Sequence, residues 1–145
     1  MVFRTGVDSG QQLLKLGLPD EALAVLTDNL ALWRGRPLTN VRVGRMLETD
    51  ILHLEEERRR AAELLIEAAF AAGRHRDVIG TLKKMVGEDP YNEWLHARLI
   101  QALTLTGRRR EALHVYDQLR RLLAEQMGLD PMFELRELER QLLEC

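Results

Sequence analysis

The side chains that could do covalent or metal chemistry are few here and poorly spaced for it. Ser9 is the only serine, and Cys145, the last residue, is the only cysteine. Nucleophilic catalysis needs such a group beside a base and an orienting partner, and no Gly-x-Ser-x-Gly occurs. A lone cysteine excludes an intrachain disulfide and fits a reducing compartment. The four histidines, His53, His75, His96 and His114, include no i,i+4 pair, so the spacing of a zinc-binding helix is missing. His53-Leu54-Glu55 is a fragment of a His-Glu-x-x-His pattern. His96 and His114 fall on facing helices of one repeat, where they could approach each other, yet ordinary surface histidines are the expectation for all four. No phosphate loop or dinucleotide fingerprint appears. Most acidic residues stand beside Arg at helical spacing, as solvated pairs do. The sequence reads as a non-enzyme with no metal and no cofactor.

What remains is positive charge of one kind. Eighteen Arg stand against three Lys, within a formal net charge of −2. Arg forms planar bidentate pairs, although a GC-rich genome gives the same bias. The net charge provides no global basic field for nucleic acid. Arg108, Arg109 and Arg110, with Arg120 and Arg121, are expected to place a basic rim at one end of the last helical hairpin. Aromatics for base stacking are scarce, and Trp94 and Tyr116 fall on apolar stripes. The rim is therefore expected to meet an acidic protein patch and not RNA or DNA.

The elements that must position these residues are helices. Three times a glycine is followed by an acidic residue, a small or β-branched apolar one, and Leu or Ile: Gly17 to Leu23, Gly73 to Ile79 and Gly107 to Leu113. Gly73 and Gly107 are 34 residues apart, the tetratricopeptide period. Such a glycine suits a left-handed residue closing one helix, and the acid suits the positive end of the next. Helical periodicity predicts segments over residues 3–16, 19–33, 46–72, 75–86, 109–127 and 131–144, with a further central helix carrying Trp94, Leu95, Leu99, Ile100 and Leu103. Asp89 is expected to cap that helix with Pro90 at its first position. Gly128-Leu129-Asp130-Pro131 reads as a repeat of the Gly87-Glu88-Asp89-Pro90 turn. In residues 46–72, Leu47, Ile51, Leu54, Arg58, Ala61, Leu65, Ala68 and Ala72 form a heptad seam. It fits a coiled-coil partner or, better, packing within the chain's own domain, since half of it is small. Glu55–Arg59 and Glu56–Arg60 are i,i+4 pairs on a solvated face.

The expected fold is all-α, a right-handed α-solenoid of three tetratricopeptide-like helical hairpins with a C-terminal capping helix, forming one domain over residues 1–145. A chain of this length buries roughly 68–70% of its unfolded surface without metals or disulfides. No apolar run reaches membrane-spanning length and no signal-peptide h-region opens the chain. A cytoplasmic protein with no membrane contact is the expectation.

Longer motifs carry a resemblance. Ala31-Leu32-Trp33-Arg34-Gly35-Arg36-Pro37-Leu38 is similar to the Leu-Trp-Arg-Gly-x-Pro-Leu signature of the bacterial transcriptional activator domain of streptomycete antibiotic regulatory proteins. Leu54-Glu55-Glu56, Ala72-Gly73-Arg74-His75, Tyr116, Arg121 through Pro131 and Glu134-Leu135-Arg136-Glu137-Leu138 match in order. The resemblance covers nearly all of residues 3–145. It implies a helical module that follows a winged-helix DNA reader and supports self-association and contacts with the transcription machinery. The implied partners are a second copy, RNA polymerase or another regulator. The chain opens at the helical module with no DNA-binding domain, so either an excised fragment or a free-standing module is expected. A free-standing adaptor for a biosynthetic enzyme or peptide is the alternative reading. The family's Pro-Gly-Pro before the last helix is reduced to Pro131-Met132-Phe133, which makes Phe133 an exposed contact candidate.

Overall fold

The computed structural model describes residues 2–34 and 48–144, with side chains over 7–31 and 55–144. Gly35 to Leu38, the irregular stretch 39–45, Leu47 and Cys145 lie outside the described residues, as do the side chains of Leu32, Trp33, Arg34, Ile51, His53 and Leu54. Among the described residues there are seven helices and no strand: α1 (Val2–Lys15), α2 (Pro19–Arg34), α3 (Glu48–Ala71), α4 (Ile79–Glu88), α5 (Glu93–Leu105), α6 (Arg109–Met127) and α7 (Phe133–Glu144). They fall into two compact units, Met1–Arg74 and His75–Cys145. The expected middle hairpin, 46–72 with 75–86, is divided between them.

Each of the three repeated glycines reverses the chain in the same way. Gly17, Gly73 and Gly107 have φ of 77°, 74° and 79°, a region that costs a Cβ-bearing residue. After α5, the Gly107 N–H donates to the Thr104 carbonyl at 3.1 Å and the Arg108 N–H to the Leu103 carbonyl at 2.7 Å. That pair of bonds is a Schellman cap. The same offsets recur with Leu14 and Leu13 before Gly17, and with Phe70 and Ala69 before Gly73. The small or branched residue that follows each acid is buried: Ala22, Val78 and Ala112 are 0%, 2% and 0% exposed. The second copy differs in that His75–Val78 form a 3-10 turn before α4 begins at Ile79.

In the first unit α1, α2 and α3 all touch one another. Val7, Ala22 and Leu26 meet a buried band on α3 made of Ala61, Leu65, Ile66, Ala68 and Ala69. The band is wider than the expected seam, because Ile66 and Ala69 join Ala61, Leu65 and Ala68, while Arg58 is exposed. On the solvated face the ion pair formed is Glu56–Arg59, at i,i+3 and 3.7 Å. Gly10 explains how α1 comes so close to α2: a Cβ there would lie 2.6 Å from Cγ of Leu26, which is fully buried. Asn29, 4% exposed, is a polar residue within this apolar interior, and its amide Nδ2 has no hydrogen-bond partner among the described residues.

In the second unit α5 is central, touching α4, α6, α7 and the 3-10 turn. Two helix starts differ from expectation. Asn92, not Asp89, caps α5: its side chain accepts the Leu95 N–H at 3.2 Å. Pro90 lies in a β-turn closed by the Asn92 N–H on the Asp89 carbonyl at 3.1 Å, where its fixed φ suits the second turn position. α7 begins at Phe133, not Pro131, and the Met132 N–H just before it donates to Glu93 Oε1 at 2.6 Å. Gly87 and Gly128 are not equivalent either. Gly87 lies inside α4, whereas Gly128 closes α6 with φ 64°.

Gly10→Ala should lower stability by about 1–2 kcal/mol in urea unfolding, because overpacking outweighs the better helix propensity of Ala. Gly80→Ala, in α4 with open space at its Cβ, should instead raise it by about 0.5–1 kcal/mol. Asn29→Leu should raise the unfolding midpoint, since it removes a buried donor whose desolvation costs about 1–3 kcal/mol.

Candidate partner-binding surface

The nucleophile and metal candidates are scattered. Ser9 is exposed on α1, His75 is half-buried and His114 is exposed. Among the described residues no group of three or more His, Cys, Asp or Glu could hold a metal ion.

His96 departs from the surface reading. It is 5% exposed, because α5 is covered on several sides and the helix has no free face at that position. Its Nδ1 lies 2.8 Å from the Asn92 carbonyl oxygen, so Nδ1 carries the proton and donates it. Burial lowers the His96 pKa below the usual 6.5, against the opposing pull of the Asn92 carbonyl and of Glu93 and Asp89. His96 is buried while His114 is exposed.

The expected basic rim divides in two. Arg108, Arg109 and Arg110 stand at the start of α6, and Arg120 and Arg121 follow eleven residues on, about 16 Å along the axis at 1.5 Å per residue. Glu111 gathers the first group: its carboxylate takes Lys83 at 2.7 Å and Arg108 at 2.7 Å. The Lys83 ammonium, and then Arg108, hold the Glu111 carboxyl below its ordinary range. Asp117 gathers the second group, with Arg120 at 2.9 Å and Arg121 at 3.1 Å, and Arg120 chiefly lowers its pKa. Arg109 and Arg110 are exposed and have no ion-pair partner among the described residues. These exposed pairs are each worth little to stability.

Phe133 is 68% exposed at the other end of α6, with the Arg136 guanidinium 5.9 Å from its ring centroid. Its neighbours Met127, Leu129 and Met132 are 50%, 55% and 36% exposed. Met127 lies off the buried stripe of α6, which consists of Ala112, Tyr116, Leu119 and Leu123. Sequence reasoning missed Leu129 and Met132. The available signal was three large apolar residues within a turn too short to bury them. Trp94 is half-buried, with Arg98 stacked 5.3 Å from its ring centroid.

The glycine-closed reversals and the exposed Arg and apolar turn belong to an all-α domain. The chain belongs to the bacterial transcriptional activator domain family, whose model matches residues 1–143 and so spans both units. Regulatory protein DnrI of Streptomyces peucetius is 30% identical over 141 residues, covering 97% of this chain and 52% of DnrI. Regulatory protein AfsR of Streptomyces griseus is 35% identical over 123 residues, covering 85% of this chain and 12% of AfsR. The solved structure of Mycobacterium tuberculosis EmbR in complex with a low-affinity phosphopeptide superposes with a TM-score of 0.82 at 31% identity. That match covers 99% of this chain and 38% of the EmbR chain. The chain thus spans about half or less of the relatives it matches, and those relatives are transcriptional regulators. No helix among the described residues is long and apolar enough to cross a membrane.

The His96 shift gives a signed pH dependence. Its folded-state pKa lies below the unfolded value, so its contribution is complete above about pH 6.5 and is lost as the pH falls through the folded-state value. Urea midpoints should drop on acidification below pH 6.5, and His96→Gln should lose part of that drop. An unchanged pH slope in the variant would contradict the assignment.

Proposed function

We propose that the chain is the non-catalytic protein-interaction module of a transcriptional activator of secondary-metabolite genes, working as one domain over residues 1–145. Its partners are a second copy, RNA polymerase or another regulator. Arg108, Arg109, Arg110, Arg120, Arg121 and Phe133 belong to the partner-facing surface. The observation that carries this reading is the run from Met127 to Phe133, where four large apolar side chains stand in water on one turn. Apolar groups clustered in this way mark interaction sites more often than single exposed ones do. Arginine and aromatic residues are also the types that anchor interfaces. The family membership supports the same reading from a separate direction.

Fused to an unrelated DNA-binding domain, the chain should raise transcription of a reporter several-fold over that domain alone. Leu129→Ser with Phe133→Ser should remove most of the gain at equal protein level. A reporter indifferent to the presence of the chain would overturn the proposal.

A further inference from the structure

The run from Glu125 to Arg136 brings apolar and charged groups together in one short stretch. Met127, Leu129 and Phe133 are each at least half exposed. The charged side chains of the run are Glu125, Asp130, Glu134 and Arg136, all of them exposed. None of the three carboxylates has an ion-pair partner among the described residues. The one cation, Arg136, is engaged with the Phe133 ring, 5.9 Å from its centroid.

A second acidic segment is held beside the first. Glu93 Oε1 accepts the Met132 N–H at 2.6 Å, which ties the start of α5 to the start of α7. Just before α5 come Glu88, exposed, and Asp89, half-buried. About one helical turn inward the cations are Lys84 on α4, Arg98 on α5 and Arg121 on α6. Arg98 stacks on Trp94 at 5.3 Å, and Arg121 pairs with Asp117 at 3.1 Å. With Arg136 counted, the tied turns still carry an excess of carboxylates around exposed apolar side chains.

We infer that this end of the second unit receives a cationic amphipathic helix of a partner protein. The apolar stripe of that helix lies on Met127, Leu129 and Phe133, and its Lys or Arg side chains lie among the carboxylates. The inference rests on the reading of the chain as an interaction module and names the chemistry of the partner segment. Charge selects the sign, since an acidic segment would meet like charge, which is repulsive. Backbone structure selects the helix. No strand is present among the described residues, so no sheet edge is offered for an extended peptide to join. Apolar anchors at helical spacing are the mode that suits such a patch. Met127 and Met132 supply unbranched thioethers that adapt to incoming side chains.

Fluorescence anisotropy of the full chain with a labelled Leu/Lys peptide of helical period tests this. The peptide should bind at about 50 mM salt, and at about 0.5 M salt its affinity should fall about tenfold or more. A peptide of the same composition in alternating order should bind more weakly, and a Leu/Glu helix should not bind. Leu129→Ser/Phe133→Ser should weaken binding about tenfold, and Glu125→Gln/Glu134→Gln several-fold. Arg136→Gln removes the one cation of the run and should tighten it. All five positions are exposed, and matching thermal melts confirm that the variants fold. If a double variant melts early, Phe133→Ala or Glu134→Gln replaces it, with a smaller loss expected. Equal affinity for the Leu/Glu helix, indifference to the carboxylate changes, or weaker binding by Arg136→Gln overturns the inference. So does a Leu129→Ser/Phe133→Ser chain that keeps its peptide affinity and loses only association with a second copy. A chain that drives the reporter but ignores the Leu/Lys helix would sink the cationic partner and spare the module reading. A chain that binds the helix yet is silent on the reporter would do the reverse.

Discussion

The three reversals that carry the repeated motif depend on one backbone geometry, a glycine with φ near +75° closing the helix before it. That conformation lets two N–H groups turn back onto the carbonyls of the finished helix, so none of the four groups is left without a partner in the turn. It also fixes where the next helix starts. The acid then falls in the first turn, and the small or branched residue one place later faces inward. Ala22, Val78 and Ala112 occupy that place and are buried. Asp20 and Glu111 reach neighbouring cations, Arg74 at 3.4 Å and Lys83 at 2.7 Å. One torsion angle thus sets a cap, a close contact and a charge pair together.

Packing around α5 shows how the same local rules lead to different surroundings. Most of its turns are buried, including His96, and its Asn92 cap and Thr106 end are tied to nearby backbone. Among the described residues, α6 and α7 are each buried along one stripe, and the apolar residues at their junction are exposed. Apolar residues at that junction therefore remain in water, although their types alone would suit a core. Burial is a property of the neighbours and not of the residue.

Much of the fold was legible in the sequence because its determinants are short-range. The three reversals follow from spacing and turn chemistry. The first residue of α5 is set by the Asn92 side-chain cap, which periodicity does not report. Pro90 served a turn closed by Asn92, and Glu93 claimed the Met132 N–H across the unit. The surface was read less well. Five arginines close in sequence suggested one rim, but a helix that rises about 1.5 Å per residue separates them into two groups, and local carboxylates neutralise three of them.

The sequence by itself determined the helical class, the family and the glycine reversals, because backbone torsions, capping and periodicity act within a few residues. Only the tertiary structure decided that His96 is buried and that large apolar residues from Met127 to Phe133 are exposed. Those outcomes depend on which helices cover which faces. That choice is made by contacts between residues tens of positions apart.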